Sequence, residues 1–198
     1  MKQKKLFFVV SSEDVLKNFF LFPGGLFDKL KKYLQEGDSE VVIVMPSFVE
    51  KYIPRVREYS KGAENKVIIE LIPSAQKLRG FQKLFTFFYS YLIYTGTTRT
   101  LATMGMRLDD APGGGRQYLA PIKIILANTF GRSRIVKTKI VQYLYDFFFP
   151  ERPLKEIFER HRPDLVFAPN LFKRFDGEVL REAKKQGVKS IGMVMNWD

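Results

Sequence analysis

Two short apolar runs separated by one amphipathic segment close the chain, and that arrangement constrains the fold more than any other feature. The runs are LVFA at 165–168 and SIGMVM at 190–195, with a loop and a helical pattern between them. Strand, helix, strand in this order joins parallel strands of an α/β sheet, because parallel strands need a long crossover connection. In the helical pattern Phe175, Val179, Leu180 and Ala183 recur on one side, while Glu178, Arg181, Glu182, Lys184 and Lys185 occupy the rest. Gly187 supplies the left-handed residue that ends it. Val188, Ile191, Met193 and Val194 predict a buried last strand. Ligands of parallel sheets collect beyond the carboxyl ends of the strands, so the loops at 169–172 and 196–198 are where function is expected.

The same grammar opens the chain. Residues 6–10 (LFFVV), 41–45 (VVIVM) and 67–72 (VIIELI) are continuous apolar runs, as strands buried on both faces require. Ser11 with Asp14 has the form of a capping pair for a helix over 15–20. Pro23, Gly24 and Gly25 break the chain before a second helix whose face carries Leu26, Leu30, Tyr33 and Leu34. Two glycines opening a helix serve either as a tight turn or as a place where backbone amides meet an anion. A third helical stretch, 48–59, is interrupted at Pro54. The prediction is an α/β fold: a Rossmann-like parallel sheet with a helical segment, 77–150, between the third and fourth strands, all within one lobe spanning 1–198.

The helical segment is aromatic and basic. Residues 81–94 (FQKLFTFFYSYLIY) place aromatic groups on every side of a helix too short to span a bilayer, which suits either a buried helix or a surface that meets lipid or a partner. Two more helices are expected at 119–130 and 135–149. Ile135, Val136, Ile140, Val141, Leu144, Tyr145 and Phe148 define an apolar side in the second. Arg132, Arg134, Lys137 and Lys139 crowd its start, where cations oppose the helix dipole. That cluster is a solvated face or a contact with an anion or an anionic membrane. Between the helices, RLDDAPGGGR at 107–116 reads as a loop. Three glycines there lack the following Gly-Lys-Ser/Thr of a phosphate-binding loop, and Asp109 with Asp110 is an ordinary solvated pair.

Charge and composition bound the partners. With 33 basic against 21 acidic residues the net charge is +12, which favours nucleotide phosphates or an anionic lipid surface; no nucleic-acid motif accompanies it. No cysteine is present, so disulfides and thiolate metal sites are excluded and a cytoplasmic compartment fits, with peripheral contact at the inner face of a membrane. His161 is the lone histidine, beside Arg160, Arg162 and Pro163, without companions at metal-ligand spacing, so no metal is expected. No nucleophile elbow is present.

The residues Arg162-Pro163-Asp164 before a strand, the stretch REAKKQG at 181–187 closing a helix, and GMVMNWD at 192–198 together resemble the N-terminal lobe of GT-B-type glycosyltransferases of the bacterial surface-polysaccharide kind. Their layout is related to nucleotide-sugar 2-epimerases, although Ser11-Ser12-Glu13-Asp14 and Pro46-Ser47-Phe48 do not look like epimerase motifs. The resemblance covers most of the chain in layout and is specific in roughly the last forty residues. It implies an acceptor-side lobe, with a nucleotide-sugar donor held by a second lobe absent from this chain, a glycan or lipid-linked acceptor, and no cofactor. The chain alone would then be inactive. Under that reading Asp198 is the general base, Trp197 stacks on a sugar ring, Asn170 and Asn196 orient hydroxyls, and Gly24 and Gly25 offer amides to a phosphate. The alternatives are an epimerase-like enzyme and a noncatalytic lobe that binds anionic lipid or a protein.

Overall fold

A computed structural model describes residues 4–20, 22–73, 78, 80–89, 122, 125–126, 128–171 and 174–193. The chain divides into two units, one formed by 1–75 with 152–198 and the other by 76–151. Each is described by itself.

In the first unit, five parallel strands form one sheet: β1 (Lys4–Val9), β2 (Ser39–Pro46), β3 (Val67–Ile72), β4 (Leu165–Ala168) and β5 (Lys189–Gly192). Their spatial order is β3-β2-β1-β4-β5. The pairing is in register over the apolar runs, with Leu6 opposite Val41 on one side and Leu165 on the other. This is the Rossmann-like α/β arrangement. Successive side chains of a strand point to opposite faces, and the continuous runs divide accordingly. Phe8, Val10, Val41, Ile43 and Met45 enter one core with Leu16, Phe27, Leu34 and Val56. Phe7, Val9, Val42 and Val44 enter the other with Leu154, Phe158, Val179 and Ala183. Phe7 meets the ring of Phe158 edge-on with centroids 4.9 Å apart. Fully burying side chains of this size stabilises by about 1.5–3 kcal/mol each, so both faces of the sheet are held.

The helices of this unit follow the capping chemistry of the chain. The first, α1 (Glu13–Val15), runs on into π-helical turns over Leu16–Phe20. Its cap is Ser12, whose Oγ accepts the Val15 N–H at 3.4 Å, so the capping residue is one position later than the expected Ser11. In α2 (Leu26–Glu36) the buried stripe is Phe27, Leu30 and Leu34, while Leu26 and Tyr33 are exposed. The expected face is rotated, because burying Phe27 removes more apolar surface than burying Leu26. The Lys66 ammonium donates to the carbonyls of Leu34 and Gly37 at 2.9 and 2.5 Å, placing a cation at the negative end of α2.

Pro54 does not interrupt a helix. A 3₁₀ stretch over Ser47–Tyr52 leads into α3 (Ile53–Tyr59), and the proline stands in the first turn of α3, where its missing N–H has no helical partner to lose.

Asp164 joins the sheet at its amino-terminal edge. Its carboxylate accepts the Lys5 N–H at 2.9 Å, and its own N–H donates to the Lys5 carbonyl at 2.9 Å. This gives the Arg-Pro-Asp motif a structural purpose: it sets β4 beside β1. Between them, β3 and β4 are tied by α6 (Lys155–His161), which ends with Arg162 in the left-handed conformation at φ 47°. The His161 Nε2 lies 2.7 Å from Glu70 Oε1 in β3, and Arg160 donates to the same oxygen at 3.1 Å. α7 (Arg174–Lys185) buries Val179 and Ala183 as its pattern predicts, with Gly187 at φ 68° after it. Three of its acidic groups are also buried. Glu182, 3% exposed, receives a two-pronged contact from Arg152 at 2.5 and 3.0 Å and a third hydrogen bond from Gln186 at 3.0 Å.

The last strand departs from expectation. All four residues of β5 are exposed, Ile191 among them, as is Met193 after it, and Val188 only partly packs against the core. An edge strand has a neighbour on one side only, so its apolar residues find less cover than those of β1 or β2.

In the second unit, α4 (Gly80–Tyr89) and α5 (Val141–Phe148) pack together, α5 being preceded by π-helical turns over Val136–Ile140. Phe85 stacks on Phe148 with centroids 4.9 Å apart and meets Tyr145 edge-on at 6.2 Å. Gln82 donates to the Phe148 carbonyl at 2.9 Å. The expected loop at 107–116 and most of the expected helix at 119–130 lie outside the described residues.

Candidate functional site

The strand order itself locates the site. β1 leads outward to β2 and then β3, whereas the chain returns to β4 on the other side of β1. Connections on the two sides of β1 leave for opposite faces of the sheet, and in parallel sheets such a switch point, beyond the carboxyl ends of β1 and β4, is where ligands collect. The residues reaching that edge are Val10 to Glu13 after β1 and Pro169 to Leu171 after β4. Phe8 pairs with Phe167 at the end of the ladder; Ser11 follows β1 and Asn170 follows β4, its neighbour in the sheet.

Ser11 is the unusual residue of this edge. It is wholly buried, and its Oγ has no hydrogen-bond partner among the described residues. Leaving a buried hydroxyl without a partner costs about 1–3 kcal/mol, which makes Ser11 a candidate for a hydrogen bond to a group from outside the described residues. Ser12 beside it is engaged as the helix cap. Sequence reasoning read Ser11 as that cap and so missed it. The alternation of β1 was the available signal, because Phe7, Val9 and Ser11 are two residues apart and the third is polar.

Next along the edge stands Glu13, whose carboxyl is held below its ordinary range by a hydrogen bond from Tyr52 and by Lys17, with Lys17 Nζ at 2.9 Å. The Lys17 ammonium is correspondingly raised by the same hydrogen bond. Lys51 lies 4.9 Å from the centre of the Tyr52 ring. The groups following β1 and β2 thus form one polar rim with cations on it.

Of the residues expected to bind or react, Asn170 stands at the end of β4, half-buried, in the place foreseen for it. Asn196, Trp197 and Asp198 lie outside the described residues. Gly24 and Gly25 stand in the turn before α2. Gly24 takes φ 72° and donates its N–H to Asp28 Oδ2 at 2.6 Å, and Gly25 donates to the Phe22 carbonyl at 2.9 Å. A Cβ on Gly25 would stand 2.7 Å from that carbonyl oxygen. In this conformation both amides are used inside the turn, with the Asp28 carboxylate at the helix start.

Two surface depressions lie elsewhere: one of about 440 Å3 lined by Asp28, Lys31, Arg55, Glu58 and Tyr59, and one of about 260 Å3 beside Arg57, Ser60 and Glu64. Their mixed charges and open walls offer no convergent chemistry. Among the described residues no group of three or more His, Asp or Glu side chains could hold a metal ion, and no helix is long and apolar enough to cross a membrane. Comparisons with protein-family models, with curated proteins and with solved structures return no match to this chain.

Proposed function

We propose that the sheet unit is the acceptor-side lobe of a GT-B-like glycosyltransferase, which transfers a sugar from a nucleotide-sugar donor during cell-surface or capsular polysaccharide synthesis. The observation that carries the reading is the Ser11 hydroxyl, buried and without a hydrogen-bond partner among the described residues, just beyond β1 where Asn170 follows the adjoining β4. A hydroxyl and an amide following neighbouring strands suit a polyhydroxyl ligand, because each can both donate and accept.

In the reaction an acceptor hydroxyl attacks the anomeric carbon of the donor sugar, loses its proton to a base, and the nucleoside diphosphate departs. Asp198 is proposed as that base and Trp197 as the stacking platform, with Asn196 and Asn170 orienting hydroxyls; the first three follow β5 in sequence. The donor is a co-substrate held by another lobe, so no resident cofactor is invoked.

The test is ligand binding by the chain as it stands. An array of bacterial surface oligosaccharides should yield a binder whose affinity falls about fivefold or more in Ser11→Ala and in Asn170→Ala, the loss of one to two hydrogen bonds. Binding of UDP- or GDP-sugars with no oligosaccharide binding would reverse the assignment of the lobe. Absence of both would remove the transferase reading.

A further inference from the structure

The helical unit leaves a line of large apolar side chains in water. On α5, Tyr145, Phe148 and the following Phe149 turn toward Phe85 of α4. The side away from α4 carries Tyr143, 71% exposed, and Phe147, 68% exposed, with Ile140 and Ile135 also exposed before them. The four are spaced by five, three and four residues. The step of five crosses the π-helical turns over Val136–Ile140, whose wider i to i+5 pitch brings Ile135 into line where an α-helix would rotate it aside. Sequence periodicity placed Ile135 and Ile140 on the packed side, and the wide turns are the reason they are not.

Charge is arranged along the same line. Arg132, Arg134 and Lys139 are exposed at its beginning and Lys137 is half-buried among them, whereas Asp146 is the single acid between 122 and 149. The whole segment 76–151 holds eleven basic residues against four acidic ones. An apolar ridge with cations at one end matches the layering of a bilayer interface, where acyl chains receive the ridge and anionic headgroups receive the cations. A second copy of the chain would set like charge against like charge. A nucleic acid would leave the isoleucines without stacking partners.

We infer that the ridge Ile135, Ile140, Tyr143 and Phe147, with Arg134 and Lys139, docks on an anionic phospholipid surface. The inference stands on the helical unit alone and holds whether or not the sheet unit belongs to a glycosyltransferase.

Sedimentation of the whole chain with phosphatidylcholine vesicles, with and without about one-third phosphatidylglycerol, reads it directly. Expected is binding to the mixed vesicles that falls steeply between low and about 0.5 M salt, with little binding to phosphatidylcholine alone. The pair Tyr143→Ser with Phe147→Ser should weaken it about tenfold or more. Arg134→Gln with Lys139→Gln should weaken it by about fivefold per charge. Both pairs change exposed side chains, and unchanged thermal melting by circular dichroism will show that they fold. Wild-type failure to bind, or equal binding by the serine pair, overturns the inference. A dimer in analytical ultracentrifugation that the serine pair dissolves also overturns it, because a second copy would then cover the ridge.

Discussion

The sheet unit and the helical unit use aromatic residues in opposite ways. Around the sheet, Phe7, Phe8, Phe27 and Phe158 are fully buried, each between a strand face and a helix. In the helical unit, Phe85 and Phe149 are buried, but Phe81, Phe130, Tyr143 and Phe147 are more than half exposed. Among the described residues both units therefore contain the raw material of a core, and the sheet unit encloses the larger share of it, although Phe22 and Phe48 there are also exposed. A sheet has two broad faces that helices can cover, whereas a pair of helices shares one seam and leaves the far sides to solvent or to another surface.

The sharpest break of that comparison is a matched truncation. Phe158→Ala should lose about 3–5 kcal/mol in urea unfolding, since it removes an aromatic ring packed on Phe7. Phe147→Ala should stay within about 0.5 kcal/mol. If the two cost the same, the ridge on α5 is covered in the isolated chain and the contrast between the units disappears.

A second contrast lies within the sheet unit, between buried apolar groups and the buried charge of Glu182. Arg152→Ala should destabilise by about 2–4 kcal/mol, because it strands a carboxylate that is 3% exposed. Burial pushes the Glu182 carboxyl up, but the hydrogen bonds from Arg152 and Gln186 outweigh it and the group is held below its ordinary value. Its contribution is therefore present above the unfolded-state value, about 4.3, and is lost as pH falls through the lower folded value. Glu182→Gln should flatten this acid limb in urea titrations between pH 6 and 3. An unchanged acid limb would mean that other carboxylates control it.

Smaller in effect is Glu70→Gln, expected to lose about 1–2 kcal/mol by weakening the contacts with His161 and Arg160 that tie β3 to α6. Smallest, and opposite in sign, is Ser11→Ala. Removing a buried hydroxyl without a partner should leave stability unchanged or raise it by up to about 1 kcal/mol, while oligosaccharide binding falls. A clear loss of stability would show that Ser11 has a structural partner and would weaken its claim as a site residue.

Much of the architecture was legible before the structure. The runs at 67–72 and 165–168 became β3 and β4 with the same bounds, because a continuous β-branched and apolar run suits a strand covered on both sides. Val179 and Ala183 turned inward as their spacing required. Part of the candidate site was legible too: Asn170 was found by its place after a strand, a property of local order. Ser11 was not, because a serine before an acidic helix start has the same local signature whether it or its neighbour makes the cap.

The chain by itself thus determined an α/β sheet of parallel strands, their approximate bounds and the turns set by glycines 24 and 187, since these follow from side-chain period and backbone sterics within a few residues. Only the tertiary structure decided the order β3-β2-β1-β4-β5, the rotation of α2 and the exposure of β5 and of the α5 ridge. It also chose the polar partners: the Lys5 backbone N–H with the Asp164 carboxylate, Glu70 with His161 and Arg152 with Glu182 meet across separations of 159, 91 and 30 residues. No periodicity links groups so far apart; their meeting is set by which strand lies beside which, and that order is selected by the burial of both sheet faces at once.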